Sequence, residues 1–455
     1  MENVIKNKSR NVDMTKGPIL KGILLFALPL FVGNLFQQLY NIIDSIVVGK
    51  YEGTEALAAV SSSGSLTSFL VSLIVGIASG AGIVIARHFG ARDKKRMSDA
   101  IHTLVAFGLV SGVVLTIVGY FLTPQMLIWM NTDEEVLPES TVYFRTYFLG
   151  VIFTVMYNVG SAIFRAIGDS RHPLYYLILA SLVNVLLDLL FVGYFNMGVR
   201  GVAIGTIISQ AISAIATMLH LMVIKTDYTV YIRKIRFHSI ELISILKIGL
   251  PNGLQNSIIS LANVFIQSNI NSFGKIVQAG CGTYTKIEGF ATLPSGSFST
   301  AISNYVGQNM GAKEYERVKK GSRIGLLTSM LMCEGIGLLL CLFAPFLIKM
   351  FSDDPEVIKY GVSMTRHIAW AYFMLSFAHG ISGVLRGAGI STIPMITMII
   401  CWCGVRVLGI PIALHFWNDV RTIFMFYPLT WFISLVVLGV YFLKVDWINK
   451  GKKMD

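Results

Sequence analysis

Leu28 to Gly49 reads LPLFVGNLFQQLYNIIDSIVVG, and this stretch decides the fold. It is long enough to cross a bilayer, for which about 20 apolar residues suffice. Yet Asn34, Gln37, Gln38, Asn41, Asp44 and Ser45 recur within it at steps of three and four, so they form one polar stripe on an otherwise apolar helix. An acid near the centre of a membrane helix costs roughly 2.5 to 3.5 kcal/mol on insertion scales. The stripe therefore faces protein or a water-filled cavity, and Asp44 is expected to titrate or to bind a cation there. Gln37 and Asn41 on the same stripe are candidates to line that cavity.

Composition agrees with a membrane protein. Of 455 residues, 54% are hydrophobic and 14% charged, whereas soluble domains carry about 25% charged residues. Met1 to Lys21 is polar and basic and leads into the first apolar run without a small-residue cleavage site, so the first helix is expected to be kept. The five cysteines are scattered through apolar segments and form neither a disulfide framework nor a zinc set; packing is their expected role. The net charge of +12 does not point to nucleic acid, because the basic residues cluster between alternate apolar runs.

Twelve spanning helices are predicted, over 22–48, 58–84, 98–122, 141–164, 173–193, 201–224, 241–270, 277–304, 322–344, 360–385, 393–414 and 422–444. The fold class is all-α. Both termini and five connections are basic, among them Arg92 to Arg96, Arg165 with Arg171, Lys313 to Arg323, and Arg386, so these are expected on the cytoplasmic side as topology signals.

The two halves repeat. Leu28-Pro29 returns as Leu250-Pro251, Gly90-Ala91-Arg92-Asp93 as Gly311-Ala312-Lys313-Glu314, and Phe164-Arg165-Ala166-Ile167-Gly168 with Pro173 as Leu385-Arg386-Gly387-Ala388-Gly389 with Pro394; each offset is 221 or 222. Six helices per repeat is an even number, so the halves are expected to be related by a pseudo-two-fold axis along the membrane normal, with a site between them. The expected division is an N-terminal bundle over 1–224, a cytoplasmic linker over 225–240 and a C-terminal bundle over 241–455.

This layout, the inner loop GARDKKR and the paired segments FRAIGDSRHP and LRGAGISTIP, resembles the multidrug and toxic compound extrusion (MATE) family. The resemblance covers nearly the whole chain. It implies cation-coupled antiport of amphipathic, often cationic, organic compounds, with two bundles rocking about a central cavity.

Four oxygen-bearing side chains are expected to share one layer of the N-terminal bundle: Asp44 on helix 1, Asn184 and Asp188 one turn apart on helix 5, and Thr206 on helix 6. The family resemblance implies a cation site at these positions. Two carboxylates in a dry pocket raise the proton affinity of one of them, and carboxylate, amide and hydroxyl oxygens also suit a hard cation. The coupling ion is thus H+ or Na+, and no other cofactor is implied. In the second half Asp44 maps to Ile266 and Asp188 to Gly409, so the C-terminal bundle keeps a polar stripe without its acids.

Glu288 on helix 8 and His379 on helix 10 are further cavity candidates, and Glu334 on helix 9 has no counterpart that assigns it a role. Pro29 and Pro251 each remove a backbone hydrogen bond inside a helix and are hinge candidates. The function expected is therefore multidrug efflux by a multi-pass protein of the cell membrane, a monomer working on organic cations among membrane lipid. The rivals are a lipid-linked-precursor flippase, which calls for a cationic central cavity, and an intramembrane enzyme, for which no catalytic motif is present.

Overall fold

The computed structural model describes residues 12–51, 53–129 and 136–452, without the side chains of 41, 44–51 and 53–70. Asp44 and Asn41 thus lie outside the described side chains, although the backbone of both is helical.

The first half holds α1 (Ile19–Tyr51), α2 (Gly53–Gly90), α3 (Lys94–Trp129), α4 (Leu137–Ala166), α5 (Arg171–Asp188) and α6 (Gly198–Val223). The second half holds α7 (Ser239–Asn271), α8 (Lys275–Ala291), α9 (Leu293–Gly311), α10 (Tyr315–Lys349), α11 (Pro355–Ile368), α12 (Tyr372–Gly387), α13 (Thr392–Met398), α14 (Val405–Phe416) and α15 (Val420–Lys444), followed by the short α16 (Trp447–Lys452). These make twelve crossings in two bundles, because three of the expected single helices are broken. Helix 8 divides at Thr292, with Pro294 in the first turn of α9. Helix 10 passes through a 3-10 turn, Ala369–Ala371, and helix 11 through a π turn, Ile399–Gly404. Helix 5 ends in a π turn of its own, Leu189–Tyr194, directly after Asp188.

Each break leaves backbone donors that need partners. At the one between α11 and α12, Glu334 Oε2 accepts from the Phe373 amide at 3.0 Å. That gives Glu334 a structural task, since it starts α12.

Ten crossings are long and apolar enough to be spans by hydropathy among the described residues; α7 and the α8–α9 pair are not. The reason is visible in α9, whose Ser295, Ser299, Ser303, Asn304, Gln308 and Asn309 are all buried. Polar residues survive in these crossings because protein rather than lipid surrounds them.

Each half has its own hydrophobic core, but the halves exchange the first turns of their leading helices. Met14, Ile23, Phe26 and Ala27 pack in the core of the second half, and Ile245 and Ile248 in that of the first. Ile23 and Phe26 stand 222 residues before Ile245 and Ile248, so the exchange obeys the repeat. Between the halves, α2 and α7 touch backbone to backbone. A Cβ on Gly76 would lie 2.3 Å from Gly253 Cα, and one on Gly80 2.3 Å from Gly249 Cα, the close approach that small residues spaced by four permit between membrane helices.

Contacts between the halves gather at the end that bears the basic loops. His88 Nε2 and Arg96 Nε meet the two carboxylate oxygens of Glu241 at 2.9 and 3.0 Å, Arg87 donates to the Gly451 carbonyl at 2.8 Å, and Gln308 donates to the Ala166 carbonyl at 2.9 Å.

Candidate functional site

The repeated R-x-x-G-x-x-x-x-P segment builds the site. Gly168 and Gly389 have φ of +86° and +84°, a left-handed conformation that glycine takes without a Cβ penalty. Both close the preceding helix in the same way: the amides of Gly168 and Asp169 donate to the Arg165 and Phe164 carbonyls at 3.0 and 2.9 Å, those of Gly389 and Ile390 to Arg386 and Leu385, each at 2.7 Å. Pro173 and Pro394 then fall in the first turn of the next helix, where a missing N–H costs nothing. The motif stops one helix, starts another, and leaves an arginine on the last turn of each first helix.

Those arginines line one cavity. It measures about 670 Å³, lies between the halves and is bounded by α1, α2, α4, α5, α6, α7, α9 and α12. This corrects the reading of Arg165 and Arg386 as loop charges that only set topology. Arg386 Nη1 donates to Asn252 Oδ1 at 2.6 Å and Nη2 to Ser299 Oγ at 2.8 Å. Asn252 in turn donates to the Gly76 carbonyl at 3.1 Å, so the arginine is tied through α7 to the other half. Gln37 and Asn34 line the cavity from the polar stripe of α1, and Asn34 donates to Ser297 Oγ on α9 at 3.2 Å. His379 lines it as well, with its ring edge-on to Trp402 at 5.2 Å. Pro29 lies inside α1 at the cavity wall, and Pro251 inside α7.

Glu288 is placed elsewhere, which corrects its reading as a cavity residue. It is not among the lining residues. It sits within the C-terminal bundle, in reach of the Tyr284 hydroxyl and the Arg406 guanidinium. Arg406 is buried on α14, donates to Thr430 Oγ1 at 2.8 Å, and stacks over the rings of Tyr427 and Trp402 at 4.5 and 5.4 Å. Sequence reading missed this arginine, although a lone charge in the apolar run 393–414 was the signal for it.

The N-terminal bundle holds the other cluster. Asp188 is fully buried and Asn184 nearly so, one turn apart on α5. Gly205 on α6 makes room for the carboxylate, since a Cβ there would lie 2.6 Å from Asp188 Oδ1. Next to it Thr206 is buried and also lines the cavity. Asn184 Oδ1 and Nδ2 and Thr206 Oγ1 have no hydrogen-bond partner among the described residues, and leaving such groups unbonded costs about 1 to 3 kcal/mol each. Oxygens from an acid, an amide and a hydroxyl on two adjacent helices fit a hard cation. Of the four residues expected in this layer, Asn184 and Asp188 lie one turn apart on α5 and Thr206 follows the Gly205 that adjoins Asp188; the Asp44 side chain lies outside the described residues.

Comparison with known proteins agrees with this architecture. A family model described as MatE matches the chain twice, over residues 29–190 and 251–413, which together make up more than half of its length. The chain is 28% identical to the probable multidrug resistance protein YpnP of Bacillus subtilis, across 91% of this chain and 96% of that one. It is 24% identical to a protein of Shewanella oneidensis named FAD transporter, across 88% of each. A solved transporter of the MOP superfamily from Pyrococcus furiosus, whose structure is described as having a binding pocket of reverse polarity, superposes with a TM-score of 0.88 at 23% identity, covering 98% of both chains. With its two matched halves and a cavity between two six-helix bundles, the chain belongs to the MatE family, and it is a multi-pass membrane transporter rather than an enzyme.

Proposed function

We propose that this transporter exports amphipathic organic compounds across the cell membrane by antiport against H+ or Na+. One observation carries the reading: the buried Asn184–Asp188–Thr206 cluster meets the inter-lobe cavity at Thr206. An ion bound there and a cargo in the cavity are near enough to influence each other's affinity, which is what exchange requires. The relatives named for multidrug resistance support the export of varied compounds.

Both termini and the basic loops are placed on the cytoplasmic side by the distribution of Lys and Arg. In that orientation the contacts at Glu241, Arg87 and Gln308 close the cytoplasmic side, and alternating access requires them to part. Pro29, at the cavity wall with a backbone bond missing, is the proposed hinge of α1. The protein acts as a monomer, since one chain supplies both lobes and the cavity.

The test is dye transport in proteoliposomes under separately imposed pH and sodium gradients. Transport that responds to one gradient, and loses that response in Asp188→Asn, is the expected result. Transport equal with and without either gradient would overturn coupled exchange.

A further inference from the structure

The charge of the cavity narrows the cargo. Organic cations are the class that the family resemblance implies, and they call for a carboxylate in the wall. The described lining has none: its ionisable side chains are Arg165, Arg386, His379 and four tyrosines. Neither arginine forms an ion pair among the described residues. Arg386 spends two donors on the neutral acceptors Asn252 and Ser299, out of the five that a guanidinium offers. Among the described residues its positive charge thus meets no countercharge. Both are part-buried at the wall, where water screens a cation less than in bulk, and two of them facing one cavity make a place where an anion is favoured.

The remaining wall suits the rest of such a molecule. Tyr40, Tyr143, Tyr147 and Tyr157 present flat, largely apolar faces with polar tips. Amides of Asn34, Gln37 and Gln210 offer hydrogen bonds without charge.

We infer that the inter-lobe cavity takes an amphipathic organic anion, an aromatic body bearing a carboxylate or phosphate held between Arg165 of one lobe and Arg386 of the other. This rests on the cavity being the cargo site of the proposed exporter. Because Arg386 is also tied through Asn252 to the Gly76 carbonyl of the opposite lobe, an anion that engages its free donors acts on the joint between the lobes, not only on the pocket.

The test uses two dyes with one ring system: a carboxyfluorescein as the anion and a rhodamine ester as the cation. In proteoliposomes of zwitterionic lipid, the wild-type protein is expected to move the anion in preference. Arg165→Gln and Arg386→Gln are each expected to lower its transport roughly 10- to 100-fold, the worth of a charge-assisted contact, without improving the cation. Arg386→Lys, which keeps the charge but not the fork, is expected to fall between, and shows that a loss in the Gln variant is not mere misfolding. Preference for the rhodamine, or anion transport untouched in both Gln variants, would overturn the inference.

Binding of the same dyes to purified protein, read by fluorescence anisotropy, separates the two proposals. If neither dye moves but the carboxyfluorescein binds and is lost in the Gln variants, exchange fails and the anion site stands. If both dyes bind equally in every variant, the anion site fails. Phosphorus retained with the purified protein provides the last arm: phospholipid lost in the Gln variants with dye binding unchanged would assign the arginines to a lipid headgroup and overturn an organic cargo.

Discussion

Gly90 and Gly311 bear the same relation to each other's half. A Cβ on Gly90 would stand 1.9 Å from the carbonyl oxygen of Gln308, and one on Gly311 1.9 Å from that of Arg87. Since Arg87 and Gly90 lie 221 residues before Gln308 and Gly311, this is a self-complementary contact, as across a two-fold axis. Backbone meets backbone at both positions, so no side chain can give way. Gly311→Ala is expected to wedge the lobes apart at this end, at a cost of about 1 to 3 kcal/mol for overpacking. Distances between spin labels on the basic loops of the two lobes check it: the variant should lengthen them while the wild type does not.

Glu241 serves the same seam by charge. It stands on α7 and meets His88 and Arg96 of the first half. Glu241→Gln leaves both partners with weaker acceptors and is expected to shift the equilibrium between closed and parted lobes by about 1 to 3 kcal/mol. The same spin-label distances, measured in the presence and absence of cargo, report the shift. An unchanged distribution would deny this ion-pair group a part in closure.

Asp188→Asn keeps size and polarity at a fully buried position and removes only the charge. The expected outcome is loss of at least about 10-fold in gradient-driven transport, equivalent to about 1.4 kcal/mol of coupling, with dye binding retained. Asn184→Ala and Thr206→Ala should cost less, as neutral ligands to the same ion. Flux under an imposed gradient, set against binding at equilibrium, separates coupling from cargo affinity.

Stability at low pH should follow Asp169, which lies in the connection between α4 and α5, outside the spans. Burial alone would raise its carboxyl. The His172 ring at 2.5 Å and the amides of Arg171 and His172 at 3.0 and 3.2 Å outweigh burial and hold it below the usual carboxylate range. Its contribution is therefore complete above about pH 3.9, the unfolded value, and is lost as pH falls through the lower folded value. Asp169→Asn keeps an acceptor for the Arg171 and His172 amides but loses the carboxylate charge that meets the His172 ring, and should cost about 1 to 2 kcal/mol near neutral pH. Thermal unfolding from about pH 7 to about pH 3 should show the gap to wild type closing only below about pH 4.

Much of the fold was legible in the sequence because a bilayer demands long apolar runs and a duplication repeats its landmarks. The polar stripe of α1 was legible for the same reason: Asn34 and Gln37 have no cheap place except a cavity. What hydropathy does not reveal is where a helix end sits relative to a cavity. Arg165 and Arg386 read as loop charges because the glycine that caps each helix also looks like the start of a loop. Only the packed structure shows that the last turn faces inward. Glu288 failed in the opposite direction. Its depth in the membrane was legible, but depth does not say which side of the helix meets the cavity, and while Tyr284 stands one turn back on the same helix, Arg406 comes from elsewhere in the chain. The breaks at Ala369–Ala371 and Ile399–Gly404 were hidden too, since each keeps the surrounding run apolar, whereas Pro294 was a visible sign of the one at Thr292.

The two π turns change how the repeat is to be matched. Each wide turn holds one residue more than an α turn, and they occur at different places, Leu189–Tyr194 in one half and Ile399–Gly404 in the other. Between them the second half runs one residue ahead, so Asn184 corresponds to Arg406 and Asp188 to Ile410, while Thr206 corresponds to Tyr427 after the register is restored. At the place where the N-terminal lobe buries Asn184 and Asp188, the C-terminal lobe keeps a guanidinium on its own chain, 4.5 Å above the Tyr427 ring. One copy of a duplicated pocket is thus plugged from within. For the proposed exchange the consequence is a stoichiometry: one ion site per cycle is expected, to be read from the potential at which net flux reverses.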